Sequence, residues 1–285
     1  MKRLSLLVLS LMVIAGCEHE TVQPTPPPPA PLVLPQTMDE AIASGYRTPE
    51  NTKRDPYRHP SETLQFFGLL PSMTVVEVSP GAGWYMEILA PYLNQKGQYV
   101  GAWPPSGDGQ LNAAVTTWFN AHPDISQKVS KITFNPADPM GNLGPDNSAD
   151  MVLTFRNVHN WMMSNNAQQA FNQFFKVLKP GGVLGVVDHR ADPKKPNKHD
   201  GKTGYVLESD ILKFAKKAGF KLEAQSEINA NPKDTKDYPS GVWSLPPSLK
   251  QGAQDREKFL AIGESDRMTL KFVKPMKAHG KKKKH

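Results

Sequence analysis

From residue 38 to residue 275, short apolar runs alternate with stretches whose apolar residues recur at helical spacing. The run 74–78 (TVVEV) is β-branched and predicts a buried strand, as do 151–155 (MVLTF) and 183–187 (VLGVV). Shorter strands are predicted at 98–102 and 131–134, and late strands at 221–227 and 268–273. Between them, helical periodicity covers 83–93, with Trp84, Ile88 and Tyr92 on one face, then 111–121. It returns at 166–178, with Phe171, Phe174, Phe175 and Leu178 in line, and at 207–218, closed by Gly219. Lys179-Pro180-Gly181-Gly182 predicts a turn, and 38–44 and 61–69 predict short helices around a polar loop. Strands alternating with helices imply an α/β fold whose mainly parallel sheet is covered on both faces. Ligands of such folds sit at the carboxyl ends of the strands. The positions to watch are therefore those after Val78, Ala102, Phe134, Phe155 and Val187.

The ends of the chain follow other rules. Residues 1–16 place Lys2 and Arg3 before an apolar run that closes in Ala15 and Gly16, which predicts a secretory signal peptide. The run is shorter than the ~20 apolar residues of a membrane-spanning helix. Ile14-Ala15-Gly16-Cys17 resembles a bacterial lipobox, which implies lipidation of Cys17. With Glu18 rather than Asp next to it, the resemblance implies an outer-membrane anchor facing the periplasm. Residues 17–37 are proline-rich and predict an extended spacer, 38–275 a single domain, and 276–285 a basic disordered tail. Cys17 is the only cysteine, so no internal disulfide and no paired-cysteine zinc site can form.

Charge narrows the function further. The chain of 285 residues carries a formal +7. Without Lys2 and Arg3 this becomes +5, and without Lys281 to Lys284 as well it is +1. The body offers no basic face interleaved with aromatics, so nucleic acid is not an expected partner. Arg58-His59 and Lys194-Lys195 are expected to be solvated loop charges.

After the first strand comes Glu77-Val78-Ser79-Pro80-Gly81-Ala82-Gly83-Trp84. Glycines there let backbone approach a ligand at the start of a helix. The dinucleotide version of this turn needs a third glycine where this chain has Met86, which disfavours NAD and FAD. In this turn, in 149–161 (ADMVLTFRNVHNW), in 178–190 (LKPGGVLGVVDHR) and in 204–222, the chain resembles the class I S-adenosylmethionine-dependent methyltransferases, and more narrowly their secreted bacterial members. Residues 266–275 would supply that family's last, antiparallel strand. The resemblance implies a Rossmann-like, seven-stranded, mostly parallel sheet with helices on both faces, and S-adenosylmethionine as cofactor.

It also implies roles. Glu77, Gly81 and Gly83 fall on the family's first motif, Asp138 on the acidic residue after the third strand, and Asn157 beside the methyl donor. The second strand departs from the family. Trp103 stands where a carboxylate usually accepts both ribose hydroxyls, and Asp108 is the next carboxylate downstream. Trp103 remains a cofactor-binding candidate because an indole can stack on adenine. His159 and Asp188 are the candidate catalytic residues, a histidine and a carboxylate after two successive strands at the ligand edge. Tyr205 is a weaker pocket candidate. No metal is expected, since His189, Asp192, His199 and Asp200 match no compact ligand spacing. The expected function is methyl transfer to a small molecule or envelope component. The alternative is a non-catalytic periplasmic lipoprotein that keeps the fold and binds a ligand or an envelope partner.

Overall fold

The strands that read as unbroken apolar runs lie at the centre of the sheet. β1 (Thr74–Val78), β4 (Ala149–Phe155) and the second half of β5 (Leu178–His189) are buried along almost their whole length. Burial on both faces is what removes the polar alternation from their sequences. The computed structural model describes residues 32–106, 111–138, 141, 143–195 and 199–276. The leader, Cys17, the spacer up to residue 31, Asp108 and the tail from residue 277 lie outside the described residues.

Four further strands complete the sheet: β2 (Gln98–Trp103), β3 (Ser130–Thr133), β6 (Lys221–Ser226) and β7 (Arg267–Val273). The order is β3-β2-β1-β4-β5-β7-β6. Pairings from β3 to β5 are parallel, and β7 runs antiparallel to both β5 and β6. The seven-stranded, mostly parallel sheet expected from the sequence is therefore present. The chain reverses its direction of travel across the sheet between β1 and β4. That opens a crevice at their carboxyl ends, where open α/β sheets bind ligands.

Helices cover both faces. Val75, Met151 and Leu153 pack under α4 (Pro60–Phe67), α5 (Met86–Leu93) and α6 (Ala113–Ala121). Val76, Val152, Leu184 and Val186 pack under α9 (Ala167–Val177) and α10 (Glu208–Ala218). Upstream lie α1 (Met38–Ile42), α2 (Pro49–Thr52) and α3 (Asp55–Arg58). Thr37 and Glu40 form a capping box on α1, and prolines open α2 and α3. Three more helices are α7 (Pro123–Ser126), α8 (Val158–Met163) and α11 (Arg256–Ile262). The described residues from Leu32 onward belong to one compact unit. No helix among them is long and apolar enough to cross a membrane.

Several details differ from the sequence reading. Helix α5 begins at Met86 rather than at residue 83, because residues 81–85 are spent on turns with Gly81 and Gly83 at positive φ. Lys179 to Gly182 do not form a turn between elements. They bulge within β5, whose pairing with β4 jumps from Leu178 opposite Ala149 to Val183 opposite Met151. Leu178 therefore opens the strand instead of closing the helix. Arg58, expected in a solvated loop, is 1% exposed, its stem and guanidinium held against Trp84 and Glu264.

Candidate active site

The turn after β1 is shaped by three left-handed residues. Ser79, Gly81 and Gly83 have φ of 54°, 60° and 88°. Ser79 donates its N–H to Ala102 O at 2.8 Å, which ties the end of β1 to β2. A side chain at Gly83 would strike the Met86 thioether at 2.8 Å, so close packing of the following helix requires glycine there. Gly81 differs: a Cβ built on it meets nothing within 4 Å, because it faces open space.

That space is two cavities meeting at Ser79, Gly81 and Asn157. The larger, about 450 Å³, reaches out past Pro104, Pro105, Phe134 and Asn135 to Trp161 of α8. The smaller, about 230 Å³, runs back under the upstream helices, between Glu77, Tyr85, Arg156, His159, His189 and Trp243. Asn157 holds the junction. Its Nδ2 lies 3.1–3.3 Å from Val78 O, Ser79 O, Thr154 Oγ1 and Phe155 O, pinning the end of β4 to the end of β1. Glu77 forms a floor of the smaller cavity and accepts from the Tyr99 hydroxyl at 2.7 Å. Burial pushes its carboxyl up to about 7, against the opposing pull of Tyr99 and Arg156.

Two expected positions lie away from these cavities. Trp103 is buried and folds back over Gly101, with its ring edge-on to Phe119 at 6.2 Å. Its ring packs on the α6 side of the core, and Pro104 and Pro105 line the larger cavity in its place. After β3 the lining residues are Phe134, Asn135 and Pro136. Asp138 lies further along, where its carbonyl accepts from the Gln173 amide.

Across the smaller cavity, β4 and β5 bring His159 and Asp188 together. His159 Nδ1 lies 3.2 Å from Asp188 Oδ1, and both residues are buried. A carboxylate only accepts, so Nδ1 carries the hydrogen and Nε2 the lone pair. The Asp188 carboxylate also accepts the N–H of Val158 and its neighbour's N–H at His189, each at 2.7 Å. Tyr205 is not part of this lining; its hydroxyl donates to Asp234. His189 lies beside His159, with ring centroids 5.4 Å apart and planes tilted at 47°, and its Nδ1 meets Ser265 Oγ. Burial, then the neighbouring His159 and Arg156, hold His189 well below the usual histidine range, so it is neutral near pH 7.

His159, Asp188 and His189 also place potential metal-ligand atoms within 4.8 Å of one another. The expectation from the sequence considered His189 only with Asp192, His199 and Asp200; His199 instead pairs with Asp210 at the surface. Two features oppose a cation here: the Asp188 oxygens already serve three donors, and arginines surround the cluster. Arg54, Arg58 and Arg267 all contact Glu264, at 2.6, 3.2 and 3.1 Å. Arg156 joins them from the end of β4 with φ of 63°. Burial opposes ionisation of Glu264, but the four guanidinium groups hold its carboxyl down at about 2.

Comparisons with known proteins bear on the fold. The sequence profile of a methyltransferase-domain family matches residues 108–186. An S-adenosylmethionine-dependent methyltransferase from Aquifex aeolicus superposes with a TM-score of 0.53 at 15% identity, covering 84% of this chain and 98% of that one. The 4+2 cyclase SpnF superposes with a TM-score of 0.55 at 16% identity, covering 84% of this chain and 92% of the other. No curated relative matches the sequence. The fold is that of the class I methyltransferases.

Within this methyltransferase fold, the sequence reading missed the segments that close the smaller cavity. Asn51 and Arg54 come from the upstream helices, and Trp243 from a 3₁₀ turn (Gly241–Ser244). Trp84 donates its indole N–H to Asn51 O at 2.8 Å, which anchors the upstream segment over the turn after β1. Arg156 carried one visible signal: it follows an apolar strand at the ligand edge, in the same RNVHNW run that drew attention to Asn157 and His159.

Proposed function

We propose that the protein transfers a methyl group from S-adenosylmethionine to a small molecule or an envelope component. The observation that carries this reading is the pair of cavities joined at Ser79, Gly81 and Asn157, with His159 on the wall of the smaller one and Asp188 buried behind it. The open face of Gly81 and the cleft between Pro104, Asn135 and Trp161 suit a nucleoside. Glu77, buried at the floor beyond Gly81, suits a cationic amino-acid end. When bound, S-adenosylmethionine supplies an electrophilic methyl carbon on a sulfonium. The acceptor's lone pair would bond to that carbon, with the carbon–sulfur bonding pair left on sulfur. His159 Nε2 takes the proton the acceptor loses, while Asp188 fixes the ring and stabilises the resulting imidazolium. Positioning by Asn157, and by Asn51 held through Trp84, aligns the partners.

A second reading is a fold retained to bind another ligand or an envelope partner, without transfer. Trp103 favours it: an indole cannot accept from a ribose hydroxyl, and among the described residues no carboxylate stands at the end of β2 in its place. We also propose that Cys17 carries a lipid that holds the protein at the outer membrane, on the periplasmic side; the lipobox-like 14–17 supports this.

Calorimetric titration with S-adenosylhomocysteine separates the two readings. Micromolar binding is expected, weakened at least tenfold by Gly81→Arg, which fills the junction of the cavities, and also by Glu77→Gln. Absence of binding at millimolar ligand would refute the methyltransferase reading.

A further inference from the structure

The arginine cluster behind the smaller cavity is short of negative charge. Arg54, Arg58 and Arg267 contact one carboxylate, Glu264, and the charge of Arg156 acts on the same group without touching it. Arg58 is 1% exposed, yet its Nη1 and Nη2 have no hydrogen-bond partner, and neither has Arg54 Nη2. Arg156 lines the cavity, and no hydrogen bond or ion pair of its guanidinium is found among the described residues. The other nearby carboxylates are engaged elsewhere. Asp266 holds Arg190 and Lys236, Asp55 holds Arg47, Asp188 holds His159, and Glu77 is bound to Tyr99 and only partly ionised. Burial, and then Arg156, pull Arg58 well below the usual arginine range, which registers the mutual repulsion.

An excess of buried positive charge is costly, and it persists where a ligand compensates it. The strained backbone of Arg156, a non-glycine residue with φ of 63°, marks the same spot. S-adenosylmethionine does not supply the compensation. Its carboxylate is offset by its ammonium, and its sulfonium adds a further positive charge. We propose that the methyl-accepting molecule is an anion, and that its carboxylate or phosphate group is held by Arg156 with Arg54 and Arg58 behind it. This rests on the methyltransferase reading above. It places the acceptor's anionic end at Arg156 and its reactive atom toward His159, both on the wall of one 230 Å³ cavity. Tyr85 lines the same wall, and burial pushes its hydroxyl up to about 12, so it stays protonated.

The test is calorimetric titration of the full chain with inorganic phosphate and, separately, with acetate, each with and without S-adenosylhomocysteine. The same series is run on Arg156→Met and on Arg156→Gly, which relieves the left-handed backbone and guards against a folding defect. At least one anion is expected to bind the wild type. Both variants should weaken it about tenfold or more, as for loss of a charge-assisted hydrogen bond, while affinity for S-adenosylhomocysteine changes less than about threefold. Binding of phosphate alone assigns a phosphate ester, and of acetate alone a carboxylate. The proposal is overturned if neither anion binds, or if both variants bind the anion as the wild type does. It is equally overturned if S-adenosylhomocysteine affinity falls in step with anion affinity, since the cluster would then serve the cofactor's own carboxylate. Anion binding without any binding of S-adenosylhomocysteine would leave the anion site standing and remove the methyl transfer.

Discussion

Near pH 7 the Glu77 carboxyl is about half ionised, because burial lifts it to about 7 from the ordinary range near 4.3. The folded state therefore holds a proton that the unfolded chain has released across that window. Stability from this residue is complete below about pH 4 and declines as pH rises through 7, by a total on the order of 3 kcal/mol. Glu77→Gln lacks the titration. Urea unfolding of both proteins at pH 5 and pH 8 should show the wild type losing about 2–3 kcal/mol relative to the variant. Equal changes in the two proteins would mean that Glu77 is hydrated. Its acidity was legible in the sequence as part of a motif. Its burial against Tyr99 was not, because that contact joins two strands whose pairing appears only in the sheet: Val75 opposite Tyr99 and Glu77 opposite Gly101.

Elements meet closely where side chains are missing. β5 passes Gly185 beneath α4, and a Cβ there would lie 2.7 Å from Leu153 and 2.9 Å from the ring of Phe67. Gly185→Ala overpacks this contact and is expected to cost about 1–3 kcal/mol in urea unfolding. Adding Phe67→Leu should recover part of that loss if the clash is the cause; an unrecovered loss would point to the strand itself. Strands and long amphipathic helices were readable from periodicity because burial on a sheet or against it imposes that periodicity. The four-residue helices α2 and α3 were not, since each has barely one turn in which a period could show. Helix α8 was hidden for a similar reason: its six residues make fewer than two turns.

At the scale of the whole molecule, the proposed lipid anchor concerns the N-terminal segment rather than the folded domain. If Cys17 is lipidated, wild-type protein will partition into detergent on phase separation and Cys17→Ala will not. Wild-type protein found in the aqueous phase would end the proposal of a lipid anchor. The order of apolar runs determined by itself that the chain builds an α/β sheet, since each run fixes a strand or a helix through its own burial. The glycine turn after β1 was likewise local, a short sequence whose backbone demands glycine wherever it occurs. From these, the position of the site at the carboxyl edge followed. Tertiary structure alone decided what fills that edge. It turned Trp103 toward Phe119, left Asp138 outside the lining, and paired His159 with Asp188 across adjacent strands. It also gathered Arg54, Arg58, Arg156 and Arg267 around Glu264 from segments up to 210 residues apart. Charges brought together over that span leave no period or spacing in the sequence; only the packing of the upstream helices against the sheet makes them neighbours.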